Sequence, residues 1–123
     1  DFANQVNKLY GNQPYSWHSQ LTGKQRLRFI VNAFTRMRYV TGHGALDFNA
    51  KMQPNVAPDN IKPWFQQYNP YLSPQQRVIF GHWASLLGQT NHQQFIALDT
   101  GYVWGNKLTA LNLCNNTRIE IKA

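Results

Sequence analysis

From Gln76 onward, short strand-like runs recur at close spacing, and any fold of this chain has to pair them. Val78-Ile79-Phe80 reads as a buried strand, and Phe95-Ile96-Ala97-Leu98 reads as another, ending at Asp99-Thr100-Gly101. Leu108 to Leu113 and Arg118 to Lys122 alternate apolar and polar residues, as half-exposed strands do, with Ile119 and Ile121 on one face. Gly105-Asn106 and Asn115-Asn116 stand between successive runs and suit tight turns. The segment 76–123 is therefore expected to be a mainly antiparallel four-strand block.

The segment 1–75 reads as helix and loop, which makes the chain α+β. Phe2, Val6, Leu9 and Tyr10 have helical spacing and stop at Gly11. Thr22-Gly23-Lys24-Gln25 has the form of a capping box and predicts a helix running to about Tyr39. Leu27, Ile30, Val31, Phe34 and Met37 make its main apolar stripe. Phe29 and Ala33 fall on a second face beside Asn32 and Arg36, so the helix is expected to be buried on both faces. Thr41 to Asn60, with two glycines and two prolines, reads as a lid, a binding loop or a packed excursion. Trp64, Phe65, Tyr68 and Tyr71 form an aromatic cluster with proline breaks. It is either a plug over the core or a platform on which a base stacks.

Composition narrows the class. The chain has 123 residues, 42% of them hydrophobic, which is enough for a core in one small domain or in a piece of a larger one. It begins at Asp1 rather than Met and carries no signal-like apolar run, so it reads as a piece of a longer protein. Cys114 is the lone cysteine, so no intrachain disulfide forms, which suits a reducing cytosol. No apolar stretch approaches the roughly 20 residues that span a bilayer. The net charge of +7 is either a soluble basic surface or the footprint of a polyanionic partner. Five of the twelve Lys and Arg lie between Lys24 and Arg38. Arg36 and Arg38 are thus either solvated or structural cations, or clamps for a phosphate.

His82 follows a strand and a glycine, a common way to present an imidazole at a metal, although a packed structural histidine looks the same in sequence. His18, His43 and His92 lie in loops without zinc-finger spacing. The carboxylates are sparse: Asp1, Asp47, Asp59, Asp99 and Glu120. There is no phosphate-cradling glycine loop, nucleophile elbow or Cys–His arrangement. From its residues alone, the chain holds part of a site at most.

Arg26 to Arg38 (RLRFIVNAFTRMR), Lys62-Pro63-Trp64-Phe65, Phe80 to Ser85 (FGHWAS) and Ala97 to Asn106 (ALDTGYVWGN) together resemble the C-terminal part of bacterial symmetrical bis(5'-nucleosyl)-tetraphosphatases. The likeness runs over nearly the whole chain. Ile79 to His82 with Leu98 to Gly101 also looks, more loosely, like phage-type protein phosphatases of the same calcineurin-like superfamily. The resemblance implies a four-layer α/β sandwich, of which 1–123 would be the C-terminal portion of a single metallophosphoesterase domain. It implies hydrolysis of diadenosine tetraphosphate to two ADP, with two divalent ions, manganese, cobalt or magnesium, and possible action on capped RNA 5' ends. The family's earlier metal-ligand motifs are absent here, so this segment alone is expected to bind no metal and to be inactive.

By the same resemblance His82 matches a metal-ligand histidine and Arg36 a phosphate-contacting arginine of related phosphatases. Arg38, Trp64, Tyr68 and Trp83 become candidates for the nucleotide pocket. Asp99 either orients His82 or caps the turn into Gly101. The longer protein is expected to be a cytoplasmic monomer, and the segment, with exposed strand edges, is expected to seek a second copy. Two other classes remain open: a stand-alone basic module for RNA or nucleotides, and a protein phosphatase of the same superfamily.

Overall fold

The computed structural model describes residues 2–123, and within the first helix the side chains of Asn4 and of residues 6 onward. Asp1 and the side chain of Phe2 therefore lie outside the described residues. The chain is a mixture of helix and small sheets in two compact units, residues 1–51 with 55–67 and residues 52–54 with 68–123.

The first unit opens with α1 (Phe2–Asn7) and is dominated by α2 (Gly23–Arg36). The end of α1 is held by side chains of α2 spaced four residues apart. Arg28 Nε donates to Lys8 O at 2.8 Å, Asn32 Nδ2 to Leu9 O at 2.8 Å and Arg36 Nη1 to Gly11 O at 3.2 Å. These carbonyls belong to the turn that follows Asn7, the last residue of α1, and side chains of α2 supply their donors. That requirement decides which face of α2 turns inward. Asn32 is 2% exposed, and Phe29, Ala33 and Met37 pack on the buried cluster Val40, Leu46 and Phe48. Of the expected main stripe, Phe34 is 86% exposed and Leu27 half exposed, whereas Ile30 and Val31 are half-buried and Met37 packs on the cluster. The expectation of burial on both faces is thus corrected at Leu27 and Phe34. Thr22 precedes the helix with extended backbone but makes no side-chain cap bond, so the capping box does not form.

Where the helix was expected to continue to Tyr39, the chain turns extended at Met37 and enters β1 (Tyr39–Thr41). It pairs antiparallel with β2 (Leu46–Asp47) and with β3 (Ile61–Pro63), in the order β2-β1-β3. The supposed loop 41–60 therefore starts as a tight hairpin. Thr41 N–H donates to Ala45 O at 2.9 Å, and Gly44 at φ 79° supplies the left-handed turn. Strands of two or three residues are too short to show alternation, which is why sequence reasoning misses this sheet. Tyr39 is fully buried in it.

The second unit holds four strands, but in two separate pairs rather than one antiparallel block. β4 (Val78–Phe80) runs parallel to β5 (Phe95–Ala97), with Val78 opposite Phe95 and Phe80 opposite Ala97. β6 (Lys107–Leu111) and β7 (Arg118–Lys122) form an antiparallel hairpin, with Leu108 opposite Ile121 and Ala110 opposite Ile119. The turn at Asn115-Asn116 forms as expected, with Asn116 at φ 60°. A parallel pair needs a crossover of about a dozen residues, and residues 81–94 provide it. Thr100 Oγ1 donates to Lys107 O at 2.6 Å and meets Thr109 Oγ1 at 2.7 Å, a buried bond in this unit.

Candidate functional site

The end of β4 builds the most distinctive local geometry. His82 leaves the strand with φ 65°, a left-handed conformation that costs a non-glycine residue about 1–2 kcal/mol. Its side chain is exposed. The next residue, Trp83, is 1% exposed, and its Nε1 donates to Ser85 Oγ at 2.9 Å and to Met52 O at 3.4 Å. A buried indole thus anchors the loop while the strained neighbour holds an imidazole at the carboxyl end of a parallel strand pair. Such ends are where α/β sheets place ligand groups, and strained residues of this kind cluster at functional sites. Trp83 itself is core, with almost no surface to offer a ligand.

Asp99 settles into the turn that follows β5. Its Oδ1 accepts from Gly101 N–H at 3.1 Å, which caps the turn into Gly101. Among the described residues no three His, Cys, Asp or Glu side chains gather in a way that would hold a metal ion. The described residues by themselves therefore do not supply the ligand set of a two-metal centre.

Arg36 lies in the first unit and is half-buried. Its guanidinium is stacked between the rings of Tyr10 and Phe48, each 4.4 Å away. Nη1 donates to Asn32 Oδ1 at 2.7 Å and Nη2 to Asn12 Oδ1 at 2.9 Å. All these partners are neutral, so the charge remains uncompensated, but most of the fork is already spent on packing. Arg38 is half-buried just before β1, and its carbonyl accepts from Trp64 N–H at 2.9 Å. Trp64 packs on the Val40–Leu46–Phe48 cluster and meets Phe65 edge to face at 5.8 Å. Tyr68, in the second unit, is 81% exposed. Of the cluster 64–71, Phe65 is buried and Trp64 half-buried, whereas Tyr68 and Tyr71 stay on the surface.

Sequence reasoning missed Asn32, the buried hub between Arg36 and the end of α1. An Asn in mid-helix carries no pattern that reveals a partner in another helix.

No protein-family model matches the chain. Its relatives are bacterial tetraphosphatases. The chain is 47% identical over 110 residues to the symmetrical bis(5'-nucleosyl)-tetraphosphatase of Glaesserella parasuis, a match covering 89% of the chain. It is 45% identical over 111 residues to the enzyme of that name from Pasteurella multocida, and 44% identical over 116 residues to that from Coxiella burnetii. These matches cover 90% and 94% of the chain. The chain spans about 40% of the length of each of these relatives. The resemblance carried by the motifs at 26–38, 62–65, 80–85 and 97–106 is thus borne out over almost the whole segment.

Proposed function

We propose that the chain is the C-terminal portion of a symmetrical bis(5'-nucleosyl)-tetraphosphatase, an enzyme that splits diadenosine tetraphosphate into two ADP. The observation that carries this reading is the identity of 44–47% to enzymes of that name across about nine-tenths of the chain. The strained, exposed His82 supports it independently, since a fold holds an imidazole in a costly conformation where the imidazole is used. In this reading His82 is one metal ligand, and the remaining ligands come from residues outside these 123. Two divalent ions, of manganese, cobalt or magnesium, would supply the electrostatic stabilisation that phosphoryl transfer needs. The 123 residues would form part of one calcineurin-like sandwich domain in a cytoplasmic monomer, with capped RNA 5' ends as a further substrate class. No helix of the described residues is long and apolar enough to cross a membrane.

Arg36 is then a positioning residue first. Its cation is stacked between two rings of the first unit, and it ties α2 to the turn after α1. Tyr68, fully accessible, remains a better base platform than Trp64, while Arg38 is the second arginine of the motif.

The test uses the full-length gene product and the 123-residue chain side by side, each with manganese. The full-length protein should release ADP from diadenosine tetraphosphate, His82→Ala should lose the activity by orders of magnitude, and the chain alone should give none. Undiminished turnover in His82→Ala sinks the ligand assignment. Metal-dependent turnover by the chain alone sinks the reading of it as a portion. Tight, salt-sensitive RNA binding by the chain without metal would support the binding-module class instead.

A further inference from the structure

A second concave surface lies in the second unit, at the opposite end of the strand pair from His82. It is an open groove of about 610 Å³ bordered by Arg77, His92, Phe95, Leu111, Asn116 and Arg118. Arg77 immediately precedes β4 and Phe95 begins β5, so the groove sits at the amino ends of the two parallel strands, whereas His82 follows their carboxyl ends.

Its electrostatics are unbalanced. Arg77 Nη1 donates to Asn116 Oδ1, and Arg118 Nη1 donates to Gly88 O at 3.0 Å. Both acceptors are neutral. No Asp or Glu is among the described residues that line the groove. Two guanidinium groups therefore border one groove with no carboxylate to neutralise either, and each keeps most of its five N–H donors. A planar fork of donors matches phosphate oxygens, and an anion bound here would also relieve the repulsion between the two cations.

The backbone is shaped for close approach at this point. Gly88, at φ 76°, is buried, and a Cβ on it would meet Arg118 Nη1 at 2.8 Å. The guanidinium thus occupies space that only a glycine leaves open. His92 adds a third donor. Gln94 N–H donates to His92 Nδ1 at 3.2 Å, which leaves Nε2 as the N–H of the neutral ring. The wall beside these groups is apolar: Phe95 is 6% exposed and stacks edge to face with His92 at 4.8 Å.

We propose that this groove is a binding site for a phosphate-bearing small molecule with a planar ring, a nucleoside diphosphate being the simplest member. Arg77 and Arg118 take the phosphate oxygens, and the His92–Phe95–Leu111 side takes the ring. A bare phosphate would fill only a small part of the volume. The inference does not depend on His82 or on the activity proposed for the longer protein.

The experiment is an amide-resolved NMR titration of the 123-residue chain with ADP, inorganic pyrophosphate and adenosine. ADP should shift the signals of residues 88–93 and 116–118, and bind more tightly than either of the others. Arg77→Gln should weaken ADP binding about tenfold or more, the loss expected for a charge-assisted contact. Arg118→Ala should do the same. Arg118 also ties β7 to the loop at Gly88, so a variant that fails to fold is possible there. Arg77 is exposed and bonds the turn residue Asn116, so Arg77→Gln keeps the proposal open to refutation. Shifts that map to α2 instead, or a folded Arg77→Gln that binds ADP as the unaltered chain does, would overturn the site. Adenosine binding as tightly as ADP would overturn the phosphate assignment, and pyrophosphate matching ADP would overturn the ring assignment.

Discussion

Replacing Asn32 by Ala should undo the attachment of α1 to α2. Asn32 is 2% exposed and uses three of its four hydrogen-bonding positions. Nδ2 reaches Leu9 O at 2.8 Å and Arg28 O at 2.7 Å, and Oδ1 receives Arg36 Nη1 at 2.7 Å. The Arg28 carbonyl lies within α2 and loses little. The Leu9 carbonyl lies in the turn after α1 and loses its donor, at about 1–3 kcal/mol for an orphaned, partly buried acceptor. Arg36 keeps Gly11 O and Asn12 Oδ1 but loses its shortest bond, worth about 1 kcal/mol once the remaining partners take up the charge. Alanine returns about 0.6 kcal/mol in helix propensity. The expected net loss is about 2.5 kcal/mol, which for a domain of this size lowers the thermal midpoint by roughly 10 °C. Urea unfolding followed by circular dichroism gives the free energy, and hydrogen exchange at residues 4–13 locates it. Asn32→Asp, which keeps an acceptor for Arg36 but sets a carboxylate against the Leu9 carbonyl, should leave the end of α1 equally unprotected. A loss below about 0.5 kcal/mol in Asn32→Ala, with exchange in α1 unchanged, would refute the bridging role of Asn32.

The remaining predictions concern single positions. Gly88→Ala forces a left-handed alanine and drives a Cβ to 2.8 Å from Arg118 Nη1 and 3.0 Å from Thr100 Cγ2, so thermal unfolding should show a loss of about 2–4 kcal/mol. His82→Gly relieves left-handed strain and should stabilise the chain by up to about 1 kcal/mol while abolishing activity in the longer protein; a destabilised glycine variant would contradict strain at this position. Burial raises the Tyr39 hydroxyl above its ordinary value of 10.0, because the phenolate is disfavoured inside the sheet. The unfolded chain then releases that proton at lower pH than the folded one, so the contribution is complete below pH about 10 and is lost as pH rises through the folded value. Stability should fall on the alkaline side, and the fall should flatten in Tyr39→Phe; an alkaline limb unchanged by Tyr39→Phe would count against it.

Much of this protein is legible in one dimension. The strand runs at 78–80, 95–97, 107–111 and 118–122, the helix from residue 23 and the turn at Asn115-Asn116 follow from period and turn chemistry, which are local properties. The likeness to tetraphosphatases was legible too, because whole motifs such as Phe80 to Ser85 survive as words in the sequence. The same words single out His82 as the proposed metal ligand. Pairing was not legible. Whether β4 meets β5 in parallel or antiparallel sense depends on where residues 81–94 carry the chain, and no local signal encodes that path. Nor could periodicity choose between the two apolar faces of α2. The choice fell to the face with Phe29 and Ala33 because Arg28, Asn32 and Arg36 beside it need acceptors, and the carbonyls closing α1 need donors. Only the folded chain brings those two needs together. The groove between Arg77 and Arg118 is of the same kind: two arginines far apart in sequence become one charged site when the β6–β7 hairpin closes beside the amino ends of β4 and β5. The sequence by itself determined the local elements and the family likeness, since both reside in neighbouring residues. The tertiary structure alone decided which polar groups are buried together, since that is settled by satisfying donors and acceptors across distant segments.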